Sequence, residues 1–147
     1  MKPVKNSKKL HHVGVVVKDI DKAIACFEKM GIGPFSAGSK KTVAVCFKGE
    51  LHGRPATWTT TISNAQLGDV QLELLEPTEG AQSLKETLDK TGEGLHHIGF
   101  LTDNLKDEEA NLKKAGVGIW TKAQGQFLYS EPSPANGVVI EFREIHM

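Results

Sequence analysis

The sequence predicts an α+β fold: two tandem βαβββ modules whose curved mixed sheets enclose a shared cleft. Three observations carry this. The chain falls on itself when shifted: His11 and His12 meet His96 and His97, Gly14 meets Gly99, Phe27 meets Leu112, and Gly31 meets Gly116. In each copy a period of two gives way to a helical period and then returns. Each helical stretch stops on a glycine at the matching place, Gly31 and Gly116. Two copies make a duplicated module rather than a solenoid.

The elements follow in order. "HHVGVVV" opens module one as a short β-branched strand. "DIDKAIACFEKMG" then puts Ile20, Ala23, Ile24, Phe27 and Met30 on one stripe, with Asp19 or Asp21 as cap and Gly31 as stop. The period falls back to two through "KTVAVCFKG", "ATWTTTIS" and "VQLELLEP". "GAQSLKETLDKTGEG" reads as a short linker helix with glycine-rich ends. Module two repeats the plan: "HHIGFLT", then "NLKDEEANLKKAG" capped by Asp103 or Asn104, then strands near "GIW", "GQFLYSEP" and "GVVIEFREI". The whole is one domain, with module one over 10–77, the linker over 78–94 and module two over 95–146. The glycines of "GIGPF" follow a helix rather than leading into one, so no dinucleotide-binding turn is present.

Composition narrows the function. Lys plus Arg is 18 and Asp plus Glu is 18, so no net charge draws the chain to nucleic acid or to an anionic membrane. Cys26 and Cys46 match no metal spacing and no disulfide framework, and are expected to be reduced. "MKPVKNSKK" is basic with no apolar stretch behind it, and no run approaches the ~18 apolar residues of a membrane span. A cytoplasmic protein is the expectation.

Side chains alternate along a strand, so one histidine of each pair is expected to face the cleft and the other away; parity does not say which. The last strand of each module carries a glutamate inside an apolar run: Glu73 between Leu72 and Leu74, Glu141 between Ile140 and Phe142. Taken singly, each fits a half-exposed strand, with Glu141 and Arg143 on its watered face. Taken together, two imidazoles and two carboxylates suit one divalent metal ion (Co, Ni, Zn, Mn or Mg) with room left for water or substrate.

The segments "HHVGVVVKDIDKAIACFEKMGIGPF", "VQLELLEPTEG" and "GLHHIGFLTDNL" resemble the vicinal oxygen chelate superfamily of glyoxalases, bleomycin-resistance proteins and dioxygenases, nearest its methylmalonyl-CoA epimerase-like branch. The resemblance runs from about Leu10 to Ile145. It implies a metal-binding cleft with ligands His12, Glu73, His97 and Glu141, the second of which is glutamine in some epimerases. Glu73 and Glu141 would also move protons. His11 and His96 are expected to face the helix side of the sheet or the module junction, with no catalytic role.

The implied activity is that of an isomerase, epimerase or lyase removing a proton beside a metal-bound carbonyl, in a small-molecule carbonyl or thioester substrate such as an acyl-CoA. A glyoxalase I-like lyase and a non-enzymatic small-molecule or drug binder are the alternatives; an iron(II) ring-cleaving dioxygenase fits less well, since Glu73 would be one ligand too many. Relatives imply a homodimer. Trp58, Thr60, Phe127 and Tyr129 are expected to wall the pocket. One departure stands out: epimerases are expected to place a second base on the third strand of module one, and "ATWTTTIS" has no carboxylate. Glu50 and Asp69 are the nearest, and neither fits that place.

Overall fold

The computed structural model describes residues 8–145, so most of the basic N-terminal segment and the module-two boundary at 146 lie outside the described residues. The elements are β1 (Leu10–Val16), α1 (Ile20–Lys29), β2 (Val43–Leu51), β3 (Arg54–Leu67), β4 (Val70–Glu79), α2 (Ser83–Thr91), β5 (Gly94–Thr102), α3 (Leu105–Lys114), β6 (Ile119–Ala123), β7 (Phe127–Ser130) and β8 (Ile140–Glu144). This is βαβββ twice, with α2 as the link. In each module the first strand pairs in parallel with the last, β1 with β4 and β5 with β8, and the other pairings are antiparallel.

The modules meet at two seams. β1 and β5 pair antiparallel along most of their length, and β2 meets β6 through Gly49–Ala123, Glu50–Lys122 and Leu51–Thr121. The two sheets therefore close into a barrel, β1-β4-β3-β2-β6-β7-β8-β5, and the cleft is its interior. Closure depends on Gly49: a Cβ there would overlap the Lys122 carbonyl oxygen.

Local chemistry explains the helices. Asp19, rather than Asp21, caps α1, its carboxylate accepting from Lys22 N at 3.1 Å; Asn104, rather than Asp103, caps α3 by accepting from Asp107 N at 3.1 Å. Ile20 and Ile24 of α1 are buried with Val17, Phe35, Ala65 and Leu74, while Met30, at the helix end, is 60% exposed and leaves the stripe. Helix α2 packs on β1 and β4, where Leu84 meets Val16 and Leu75. The buried Gln82 fixes its start: its side-chain carbonyl accepts from Thr60 Oγ1 at 2.8 Å and its amide donates to Thr59 O at 3.0 Å and Glu79 O at 2.9 Å. A second buried cluster gathers Trp58, Phe127 and Tyr129 with Ala123 and Val139. Cys26 and Cys46 are free and exposed. Among the described residues no helix is long and apolar enough to cross a membrane.

Candidate metal centre

The site is built at the β1–β5 seam, where two bulges sit. Between the pairs Leu10–Phe100 and His12–Gly99, β1 carries one residue more than β5. Between Gly14–His97 and Val15–Leu95, β5 carries one more. The extra residues are His11 and His96. A bulge breaks the alternation of faces and re-aims side chains, so the expectation of one histidine inward and one outward does not hold here. His11 Nδ1 lies 2.8 Å from His12 Nδ1, and His96 Nδ1 lies 2.8 Å from His97 Nδ1. The glycines of "HHVG" and "HHIG" are spent on the opposite strand. A Cβ at Gly14 would overlap the His97 ring, and one at Gly99 would overlap the His12 ring.

β4 and β8, flanking β1 and β5, bring in Glu73 and Glu141. One ligand atom from each of His12, Glu73, His97 and Glu141 lies within 4.8 Å of the others, and all four residues are buried. Glu141 Oε1 is 3.1 Å from His12 Nε2 and 3.0 Å from His97 Nε2. The two Nε2 atoms are 3.2 Å apart, and Glu73 Oε1 is 3.7 Å from His97 Nε2 and 4.0 Å from His12 Nε2. Ligand bonds of ~2.1 Å around a six-coordinate ion put neighbouring donors about 3 Å apart and opposite ones about 4 Å apart. The observed separations fall in that range, and a two-nitrogen, two-oxygen donor set suits a divalent first-row ion. The residues fit the group.

A model of the Glyoxalase/Bleomycin resistance protein/Dioxygenase superfamily matches residues 11–128. The chain belongs to this superfamily. It is 27% identical over 149 residues to the mitochondrial methylmalonyl-CoA epimerase of Bos taurus, covering 97% of this chain and 77% of that protein. It is 34% identical over 85 residues to the uncharacterized protein YqjC of Bacillus subtilis, a match spanning 54% of this chain and 61% of that one. Among solved structures, hypothetical protein BH1468 from Bacillus halodurans superposes with a TM-score of 0.64 at 26% identity, covering 97% of each chain.

In this superfamily member the four donors do not stand alone. Arg143, two residues beyond Glu141 on the same face of β8, reaches into them. Its Nε donates to Glu141 Oε2 at 2.8 Å, and its Nη2 donates to Glu73 at 3.2 and 3.3 Å. Burial pushes the Glu141 carboxyl up, but the Arg143 charge and hydrogen bonds from His12 and His97 hold it well below the usual range. The same contest ends with Glu73 lowered, through Arg143 and His97. Burial pushes His97 down, but its hydrogen bonds to Glu141 and Glu73 raise it to about 8. His96, by contrast, is lowered to about 3, by burial and then by the charge of His97.

A cavity of about 310 Å³ opens beside the cluster. Trp58, Thr60, Phe127 and Tyr129 all line it, as do Glu73 and Arg143. Burial, with the nearby carboxylates, raises the Tyr129 hydroxyl well above its usual range, so it stays protonated. β3 runs four residues past "ATWTTTIS", and its cavity-lining residues are Trp58, Thr60, Ile62 and Asn64, with no carboxylate among them. Glu50 lies elsewhere, in the β2–β6 seam, and Asp69 in the tight β3–β4 turn. Sequence reasoning did not place Arg143 or Asn64 in the site. For Arg143 the signal was present, since a period of two puts it on the face of Glu141. Asn64 pairs with Glu73 across β3 and β4, a register that only the folded sheet defines.

Proposed function

We propose that this chain is a divalent-metal-dependent isomerase, epimerase or lyase that moves a proton beside a substrate carbonyl. The observation that carries the reading is the convergence of His12, Glu73, His97 and Glu141 at the edge of a largely apolar cavity. Bound at these donors, a divalent ion supplies Lewis acidity toward the carbonyl. Glu73 is the member of the cluster that borders the cavity, and it takes the proton from the adjacent carbon and returns it. Glu141 lies behind it, wholly buried between His12, His97 and Arg143, and serves to hold the ion. Trp58, Phe127 and Tyr129 form the wall against which the substrate lies, and Thr60 offers it a polar contact.

Similarity to an epimerase of methylmalonyl-CoA supports an acyl-CoA thioester as substrate. The carboxylate-free cavity face of β3 and the glutamate at position 73 support a one-base reaction of the glyoxalase kind instead. Both belong to the same class of chemistry. The expected assembly is a homodimer in the cytoplasm.

Metal analysis of untagged protein tests the class: about one divalent ion per chain is expected, with His12→Ala and Glu141→Ala losing it. Unchanged affinity in both variants would overturn the site. Solvent deuterium uptake at the alpha carbon of methylmalonyl-CoA, set against turnover of the methylglyoxal–glutathione adduct, then separates the two substrates. A protein that binds no metal yet retains an apolar ligand would be a binder and not an enzyme.

A further inference from the structure

The paired histidines remain to be accounted for. An imidazole that gives a metal its Nε2 lone pair must carry its proton on Nδ1. That Nδ1–H ordinarily donates to a carboxylate or a backbone carbonyl, and the acceptor fixes both tautomer and ring plane. Here the atom within reach is another imidazole nitrogen, His11 Nδ1 for His12 and His96 Nδ1 for His97, at 2.8 Å in both modules. The ring geometry is repeated as well. Centroids are 5.1 Å apart in each pair, and the planes meet at 85° and 87°. The duplicated modules thus present the same imidazole pair, with the same distance, angle and bulge, behind each nitrogen donor.

We propose that His11 and His96 are positioning residues, each accepting the Nδ1–H of the next histidine and so aiming its Nε2 at the metal. The proposal rests on the reading that His12 and His97 hold an ion. Acceptance requires a neutral ring protonated at Nε2. For His96 that nitrogen is buried and has no partner among the described residues. A buried polar atom left unpaired is costly and calls for a compensating role; serving His97 with the other nitrogen is such a role. The ring is held for it, edge-on to Tyr129 at 5.0 Å and beside Trp120 at 5.5 Å. His11 is only half-buried. Water reaches its surroundings, and among the described residues no Trp or Tyr ring clamps it as His96 is clamped, so its loss is expected to matter less.

The test compares His96→Phe, which keeps a ring and loses the acceptor, with His96→Asn, whose side-chain oxygen can stand where Nδ1 stood. The same pair is made at His11. Zinc affinity is measured by chelator competition, and thermal melts in the metal-free state check that each variant folds. His96→Phe is expected to weaken zinc binding by about 10- to 100-fold, His11→Phe by less, and the Asn variants to recover most of the loss. If the Phe variants bind zinc as tightly as the parent, or the Asn variants lose as much as the Phe variants, the inference fails while the metal site stands. If the parent binds no zinc, cobalt, nickel or manganese, the metal site fails and the inference falls with it. Long-range proton–nitrogen correlation spectra of the zinc-loaded parent give an arm independent of any variant's folding. The expected spectrum shows His97 protonated at Nδ1 and His96 at Nε2; a proton on His96 Nδ1 overturns the inference.

Discussion

Helix α1 buries Ile20 and Ile24 against an apolar cluster drawn from four other segments of module one, with Ala23 and Phe27 at its margin. Helix α3, its copy, has only half-buried Leu105 and Leu112 to offer; its one buried residue is Glu108, in an ion pair with Lys8 at 3.2 Å. The strands differ in the same sense. β2, β3 and β4 run to 9, 14 and 10 residues, whereas β6, β7 and β8 run to 5, 4 and 5. Yet each module gives one histidine and one glutamate to the centre. The donors are held by the β1–β5 seam and its flanking strands, and the seam does not depend on how thick each module's outer layer is.

The largest effect that would sharpen this contrast is in the helices. Ile24→Ala opens a cavity at a fully packed site and is expected to cost about 2–5 kcal/mol, whereas Leu112→Ala on the half-buried α3 costs about 1 kcal/mol or less. Urea unfolding of both variants measures it. Equal losses would mean that α3 packs as well as α1 and that the asymmetry is only apparent. Metal affinity is expected to survive Leu112→Ala.

A second asymmetry lies within the site. Two residues past Glu73 stands Leu75, packed with Val16 and Leu84; two residues past Glu141 stands Arg143. Arg143→Leu makes module two resemble module one and leaves both carboxylates without their guanidinium. In the metal-free protein this is expected to cost about 3 kcal/mol, the low end for breaking a buried pair, because the guanidinium keeps 31% of its side-chain surface accessible. Added divalent metal should restore most of that loss in a thermal melt. A variant as stable as the parent without metal would show that Arg143 is not what neutralises the cluster.

The third effect is smaller and sets His97 against its neighbour His96. His97 rises from 6.5 to about 8 on folding, so in the metal-free protein its ion pairs contribute about 2 kcal/mol. Because the folded value is the higher one, that contribution is fully present below pH ~6.5 and is lost as the pH rises through about 8. His96, lowered to about 3, acts in the opposite sense: its neutral form is favoured by folding, and stability is lost only as the pH falls below ~6.5 toward that value. Metal takes the place of the Nε2 proton of His97, so loading below pH 8 should release a proton and flatten the alkaline limb. Calorimetry in buffers of different ionisation heat reads that proton directly.

Much of this arrangement was legible in the sequence, for identifiable reasons. The duplicated strand–helix–glycine pattern fixed the order of elements because periodicity and glycine stops are local. Glu73 and Glu141 stood out because a charge inside an apolar run is unfavourable without a partner. Which histidine of each pair offers a metal ligand was not legible from alternation, since a bulge adds a residue without any change of residue type; the family resemblance, and not the period, singled out His12 and His97. Arg143 was read as a water-facing residue because its strand looked half-exposed. Closing the β2–β6 seam turns that face inward, and the pairing of Gly49 with Ala123 joins segments with no local relation. Asn64 escaped notice because β3 continues past the end of its β-branched run.

The reciprocal overlap of histidine and glycine at the seam has a consequence for how such a molecule can be divided. His12 lies over the glycine of the other module, Gly99, and His97 over Gly14. A fragment cut between β4 and β5 would keep a donor ring but lose the floor it rests on. Two complementary fragments, mixed, would each supply what the other lacks. The centre is thus a joint possession: what was doubled along the chain is not a site but half of one, and the two halves are usable only face to face.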